Sequence, residues 1–161
     1  MSRSKDKGTA FESGLVRWWA ARTGDQRVHR LALSGAADHG DVGGIFSHGC
    51  EGIAECKDHA RWAASDLARW QAEAEAECAN ADAAFVLLVV HRRGCDATGR
   101  APSFGGNHCF VRLRDLPALH LGLARREWPG TQVDEVTDGA WADMRLADVA
   151  DMVMAERDEV I

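Results

Sequence analysis

The run Ala83-Ala84-Phe85-Val86-Leu87-Leu88-Val89-Val90 leaves this chain the least choice of fold. From Phe85 to His91 no polar residue alternates with the apolar ones, so a strand formed here buries both of its faces. Such a strand lies inside a sheet that has helices packed above and below it. The run is far too short for a membrane helix, which needs about 20 apolar residues. At 161 residues and 46% hydrophobic content, the chain has the size of one domain with a real core.

The flanking patterns supply the other elements. Phe11, Leu15, Trp18 and Trp19 recur at helical spacing, predicting a helix from Thr9 to a stop at Gly24. Residues 1–7 are charged and read as a flexible basic arm. Glu12 borders the buried stripe. Val28–Leu33 reads as a strand, and two short strands follow near 41–46 and 52–57, joined around His48-Gly49-Cys50. Between Ala60 and Ala81, Trp62, Leu67, Trp70 and Ala74 mark one helix face, with Glu73, Glu75 and Glu77 toward the others and Ser65 or Asp66 as an inner cap. After the apolar strand come a loop over 94–107, a strand at Cys109–Leu113, a short helix at Leu116–Arg126 and an amphipathic closing helix at Trp141–Ala155. The expectation is an α/β domain, a mixed central sheet flanked by helices. Its core spans 8–125, and an acidic helical C-terminal tail, 126–161, packs on the same domain.

Chemistry concentrates between Gly40 and Lys57. In the strand Gly52–Lys57, Glu55 and Lys57 project from one face while Ala54 and Cys56 project from the other. Asp41, at the start of the neighbouring strand, can bring its carboxylate close to that of Glu55. Two carboxylates at short range repel unless a cation lies between them, and hard oxygen donors suit Mg²⁺. A nearby lysine can orient or deprotonate a metal-bound water, which makes this a candidate hydrolytic site. An acid and a lysine two residues apart are also common on solvated strand faces. Asp38 competes with Asp41 for the ligand role, but Val42 directly follows Asp41 as a strand start requires, and Asp38 suits a turn. His48, Cys50, Cys56 and His59 form an alternative zinc set, although the spacing lacks any C-x₂₋₄-C pair. Trp18, Trp19, Trp62 and Trp70 read as core or dimer contacts, with base stacking as the alternative. Arg92-Arg93 reads as a phosphate clamp or a charged strand end.

The net charge is −6, unhelpful for nucleic-acid binding in sum but uneven along the chain. Arg3, Lys5, Lys7, Arg17, Arg22, Arg27 and Arg30 make the first part basic; acids crowd the end. Five cysteines without a CxxC pair argue against a disulfide framework and for a reducing compartment. The N-terminus lacks the apolar core of a signal peptide.

Read together, Glu12 in the first helix, Asp41 entering a hairpin and Glu55-Cys56-Lys57 on the next strand resemble the PD-(D/E)xK nuclease superfamily. Within it, Lys7–Glu12, Arg30–Ser34, Gly40-Asp41-Val42 and Glu55–Lys57 are most similar to archaeal-type and phage Holliday junction resolvases. The likeness covers roughly residues 5–115 and departs at Gly40, where the family has proline, and in the acidic overall charge. It implies a restriction-endonuclease-like core and a Mg²⁺-dependent endonuclease, with Mn²⁺ as a substitute, that cuts four-way DNA junctions to leave 5′-phosphates. Asp41 and Glu55 would hold the metal, with the Cys56 carbonyl as a third oxygen and Glu12 direct or through water. Lys57 would position the attacking water. Lys7, Arg30, Ser34, Arg92 and Arg93 would contact DNA. A homodimer is implied by the junction's two-fold symmetry, and a cytoplasmic setting in a prokaryote or phage-infected cell by the family. The alternatives are a related nuclease acting on non-junction DNA and a non-catalytic DNA-binding subunit of the same fold.

Overall fold

The computed structural model describes residues 3–32, 38–120 and 139–154. Helix α1 (Arg3–Thr23) is followed by strands β1 (His29–Arg30), β2 (Val42–Ser47) and β3 (Cys50–Lys57), then helix α2 (Ala64–Asn80) and strand β4 (Phe85–Val90). Strand β5 (His108–Arg112), the short helix α3 (Leu116–His120), strand β6 (Trp141–Arg145) and helix α4 (Leu146–Met154) complete the described elements. The sheet has six strands in the order β1-β2-β3-β4-β5-β6. Among the described strands, only the pair β3 and β4 runs parallel. A parallel pair needs a long crossover, and α2 supplies it.

Strand β4 is fully buried along its length, as its composition requires. Phe85, Leu87 and Val89 face a core built with Phe11, Leu15, Trp18 and Trp19 of α1 and Leu146, Val149 and Val153 of α4. Val86, Leu88 and Val90 face Trp70, Ala74 and Cys78 of α2, together with Ile53 and Phe110. Each buried valine, leucine, isoleucine or phenylalanine among them contributes about 1.5–3 kcal/mol. All five cysteines are free thiols. Among the described residues, no helix is long and apolar enough to cross a membrane.

The structure corrects several boundaries. Helix α1 begins at Arg3 rather than Thr9, so residues 3–7, expected as an arm, stand within it. Lysine and arginine favour helix without needing burial, a preference that apolar spacing does not register. Of the expected strand at Val28–Leu33, only His29–Arg30 is strand among the described residues, and Leu33 lies outside them. Helix α2 starts at Ala64, where the Asp66 carboxylate accepts the Ala63 amide at 3.0 Å, the capping role expected of it. The largest correction concerns the tail. Trp141–Arg145, expected as the start of the closing helix, is an antiparallel strand on β5, with Trp141 opposite Arg112 and Arg145 opposite His108. The open edge of β5 offers a row of unpaired amides and carbonyls, and pairing there outweighs a single helical turn. The helix proper starts at Leu146, whose amide bonds the Asn107 carbonyl at 3.0 Å. Residues 121–138 and 155–161, which hold most of the acidic tail and the rest of the helix expected after Leu116, lie outside the described residues.

Candidate active site

The two acids meet because of an irregularity in β2. Near the hairpin turn, Ile45 stands opposite Gly52; continued unbroken, that register would set Val42 opposite Glu55. Instead the register shifts between Val42 and Ile45, and Val42 stands opposite Ala54. Asp41 is thereby carried to the level of Glu55, its amide bonding the Ala54 carbonyl at 3.0 Å. This is the effect of a β-bulge, which inserts a residue and re-aims its neighbours. Gly44 makes it sterically feasible: its φ is +71°, and a Cβ there would stand 2.2 Å from the Arg27 carbonyl oxygen. Gly44→Ala is therefore expected to cost about 2–3 kcal/mol and to misplace Asp41; a thermal melt with an activity assay checks both. Gly40, one residue before Asp41, has φ +91°. Proline is locked near −65°, so in this chain the family's proline has no place at position 40.

Asp41 Oδ2 accepts the Cys56 amide at 2.9 Å, which fixes the carboxylate beside β3. Glu55 is buried, and its Oε1 lies 2.6 Å from Lys57 Nζ. Lys57 also reaches Glu73 of α2 at 2.8 Å. Burial, and then the neighbouring Glu55 charge, raise the Asp41 carboxyl to about 8, against the pull of the Cys56 amide. Burial likewise raises Glu55 to about 7, with Lys57 opposing and Glu77 adding to the rise. Burial works against the Lys57 charge, yet Glu55 and Glu73 hold its pKa above the ordinary value. Lys57 is thus an ammonium throughout the neutral range. Of the two roles open to it in the sequence, this state suits orienting water and offsetting phosphate charge, not removing a proton.

Glu12 projects from α1 toward the same place, close enough to disfavour the Asp41 and Cys56 anions. Its Oε2 is held by Arg30 at 2.8 Å from Nε and 2.5 Å from Nη2. Arg30, expected as a DNA contact, is thus engaged with Glu12. Arg92 and Arg93 follow the end of β4, at the rim where the His91 amide bonds the Lys57 carbonyl at 2.9 Å. Arg92 lies 3.3 Å from the His108 ring nitrogens, and Arg93 is exposed. Ser34 and the Lys7 side chain lie outside the described residues.

The rivals are dispersed or otherwise occupied. Cys50 begins β3 and Cys56 stands near its other end, while His59 stacks on Trp70 with ring centroids 5.4 Å apart. The zinc set is therefore not assembled. Asp38 bonds the Gly40 amide through its carboxylate at 3.2 Å and is exposed, as a turn residue would be. Trp18, Trp19 and Trp70 are core residues.

One acid was misplaced by its composition. Glu77, expected on an outer face of α2, is only 6% exposed. It follows Trp70 by two helical turns, so it continues the Trp70–Ala74–Cys78 stripe; spacing rather than charge was the signal. Its carboxyl group meets that of Glu55, and burial first raises it to about 7.

These donors are hard oxygens with more negative charge than Lys57 alone offsets, which fits Mg²⁺ or Mn²⁺. Among the described residues, no group of three or more histidine, cysteine, aspartate or glutamate side chains is placed to hold a metal ion. Arg30 draws Glu12 aside and Lys57 engages Glu55. Mg²⁺ commonly takes one or two carboxylates and keeps its waters, a number that Asp41 and Glu55 match. No protein-family model, curated protein or solved structure matches the chain.

Proposed function

We propose that the chain is a Mg²⁺-dependent endodeoxyribonuclease of the PD-(D/E)xK type that resolves four-way DNA junctions. The observation that carries the reading is the convergence of the Asp41 and Glu55 carboxylates beside the Lys57 ammonium. The element order supports a restriction-endonuclease-like core. A helix bearing Glu12 leads into an antiparallel meander whose third strand carries E-x-K, then a crossover helix and a strand parallel to that third one.

Asp41 and Glu55 would hold the cation, which when bound supplies Lewis-acid stabilisation of the phosphate and a more acidic water. The Cys56 amide keeps Asp41 oriented. Lys57, anchored by Glu73, presents positive charge where the phosphodiester gains negative charge and donates to the attacking water. Arg92 and Arg93 at the strand-end rim, with Arg30, would contact backbone phosphates, which positions the duplex without reading its sequence. Paired cuts on a two-fold symmetric junction call for a homodimer with two such sites.

The test is cleavage by the full chain of a synthetic four-way junction and of linear duplexes with the same sequences, in Mg²⁺ or Mn²⁺. Paired nicks in opposite arms, with duplex cut at least about tenfold more slowly, a barrier difference of ~1.4 kcal/mol, are expected. Equal rates would assign the site to non-junction DNA. No cutting of either substrate would overturn the nuclease reading.

A further inference from the structure

Trp62, in the loop between β3 and α2, stays partly exposed, while Trp70 beside it is buried. The Trp62 ring meets those of Trp70, His108 and Phe110 edge to face, with centroids 6.4, 5.8 and 5.9 Å apart. Aromatic contacts of this geometry hold an indole in place, and a ring already held loses little freedom when a ligand stacks on it. Its position in the sheet matters as much. Lys57 stands opposite Val90, and Val90 opposite His108, so the three side chains form one row on the α2 face. His108 is two strands from Lys57, about 10 Å across the sheet, and Trp62 packs on it. The surroundings suit an anion. Arg61 precedes Trp62 in the loop and is exposed, Arg92 lies 3.3 Å from the His108 ring, and exposed Arg93 follows it. Of the acids here, Asp58, Asp66 and Asp143 are each held, by His91, Arg69 and His108.

We propose that Trp62 stacks on a base left unpaired at the DNA branch point, next to the phosphate that Lys57 faces. This rests on the nuclease reading and names how its site would select branched over linear DNA. A base inside a duplex has both faces covered by its neighbours, whereas one freed at a branch has a face to offer. Arg61, Arg92 and Arg93 suit the phosphates on either side of such a base. The competing role for Trp62 is an apolar cover over Trp70 and Phe110. Leucine also covers them but has no aromatic face, so Trp62→Leu separates the two.

The full-length chain in chelator is irradiated with a four-way junction that carries 5-iododeoxyuridine at the branch point. Trypsin then separates the neighbouring rings: His59 falls in residues 58–61, Trp62 in 62–69, and Trp70 in a later peptide. The crosslink is expected on 62–69, and not from a linear duplex with the same nucleotide paired. Trp62→Leu should melt near the wild-type temperature and bind the uncut junction about tenfold more weakly, with Trp62→Phe restoring most of the affinity. A junction crosslink elsewhere, an equal crosslink from the paired duplex, or unchanged affinity in Trp62→Leu would overturn the stacking role. If Trp62→Leu fails to fold, the wild-type crosslink decides. Cleavage of the same junction in Mg²⁺ keeps the two readings apart. Cutting without the crosslink would overturn the stacking role alone, the crosslink without cutting would overturn the nuclease reading alone, and neither signal would overturn both.

Discussion

Glu55→Gln is expected to cut junction DNA about 10³-fold more slowly than the wild type, a loss of ~4 kcal/mol of transition-state stabilisation. Binding of the uncut junction should stay within about threefold, because a carboxylate makes no favourable contact with phosphate and its removal lowers repulsion. The variant should fold. Gln at 55 resembles the protonated acid that burial already favours at this position, where the pKa is about 7. Lys57, which loses its 2.6 Å ion pair, retains Glu73 at 2.8 Å. The measurement is single-turnover cleavage in Mg²⁺ beside a gel shift in chelator. Wild-type cutting rates would remove Glu55 from the site. Joint loss of cutting, binding and folding would make it structural.

The second large effect is on stability. Asp41 titrates near 8 and Glu55 and Glu77 near 7 in the folded chain, all above the ordinary carboxylate range. The unfolded chain releases these protons from about pH 4 upward, while the folded chain keeps them until about pH 7–8. Their contribution is thus fully present below about pH 4 and is lost as pH rises through 7–8. In chelator, the wild-type melting temperature should fall across this window and level off above it. Asp41→Asn removes the largest of the three shifts and still offers an oxygen to the Cys56 amide. At pH 8.5 it should melt about 5 °C or more above the wild type, on the order of 2 kcal/mol. At pH 4 the advantage should disappear. Parallel melting curves for the two proteins between pH 4 and 8.5 would show that Asp41 is not under this strain.

How much was legible from the sequence follows the range of the forces involved. Strand β4 could be read directly, since seclusion from water on both faces is written in its own residues. The opposite facing of Cys56 and of Glu55 with Lys57 also followed from local alternation. The bulge that lifts Asp41 to Glu55 did not. It depends on Gly44 approaching the Arg27 carbonyl, a contact made only after β1 and β2 assemble. Trp141–Arg145 was misread because its strand character comes from the free edge of β5, not from its own pattern. Glu77 was legible by spacing from Trp70, but its charge pointed outward. Arg30's attachment to Glu12 joins α1 to β1 and leaves no trace in either segment alone.

The account's central claim is that Asp41 and Glu55 hold a divalent cation, and a melt at pH 8 with and without excess Mg²⁺ tests it most directly. Mg²⁺ should raise the wild-type melting temperature by about 3 °C or more and leave Asp41→Asn and Glu55→Gln nearly unmoved. No shift in the wild type, or the same shift in all three proteins, would contradict it.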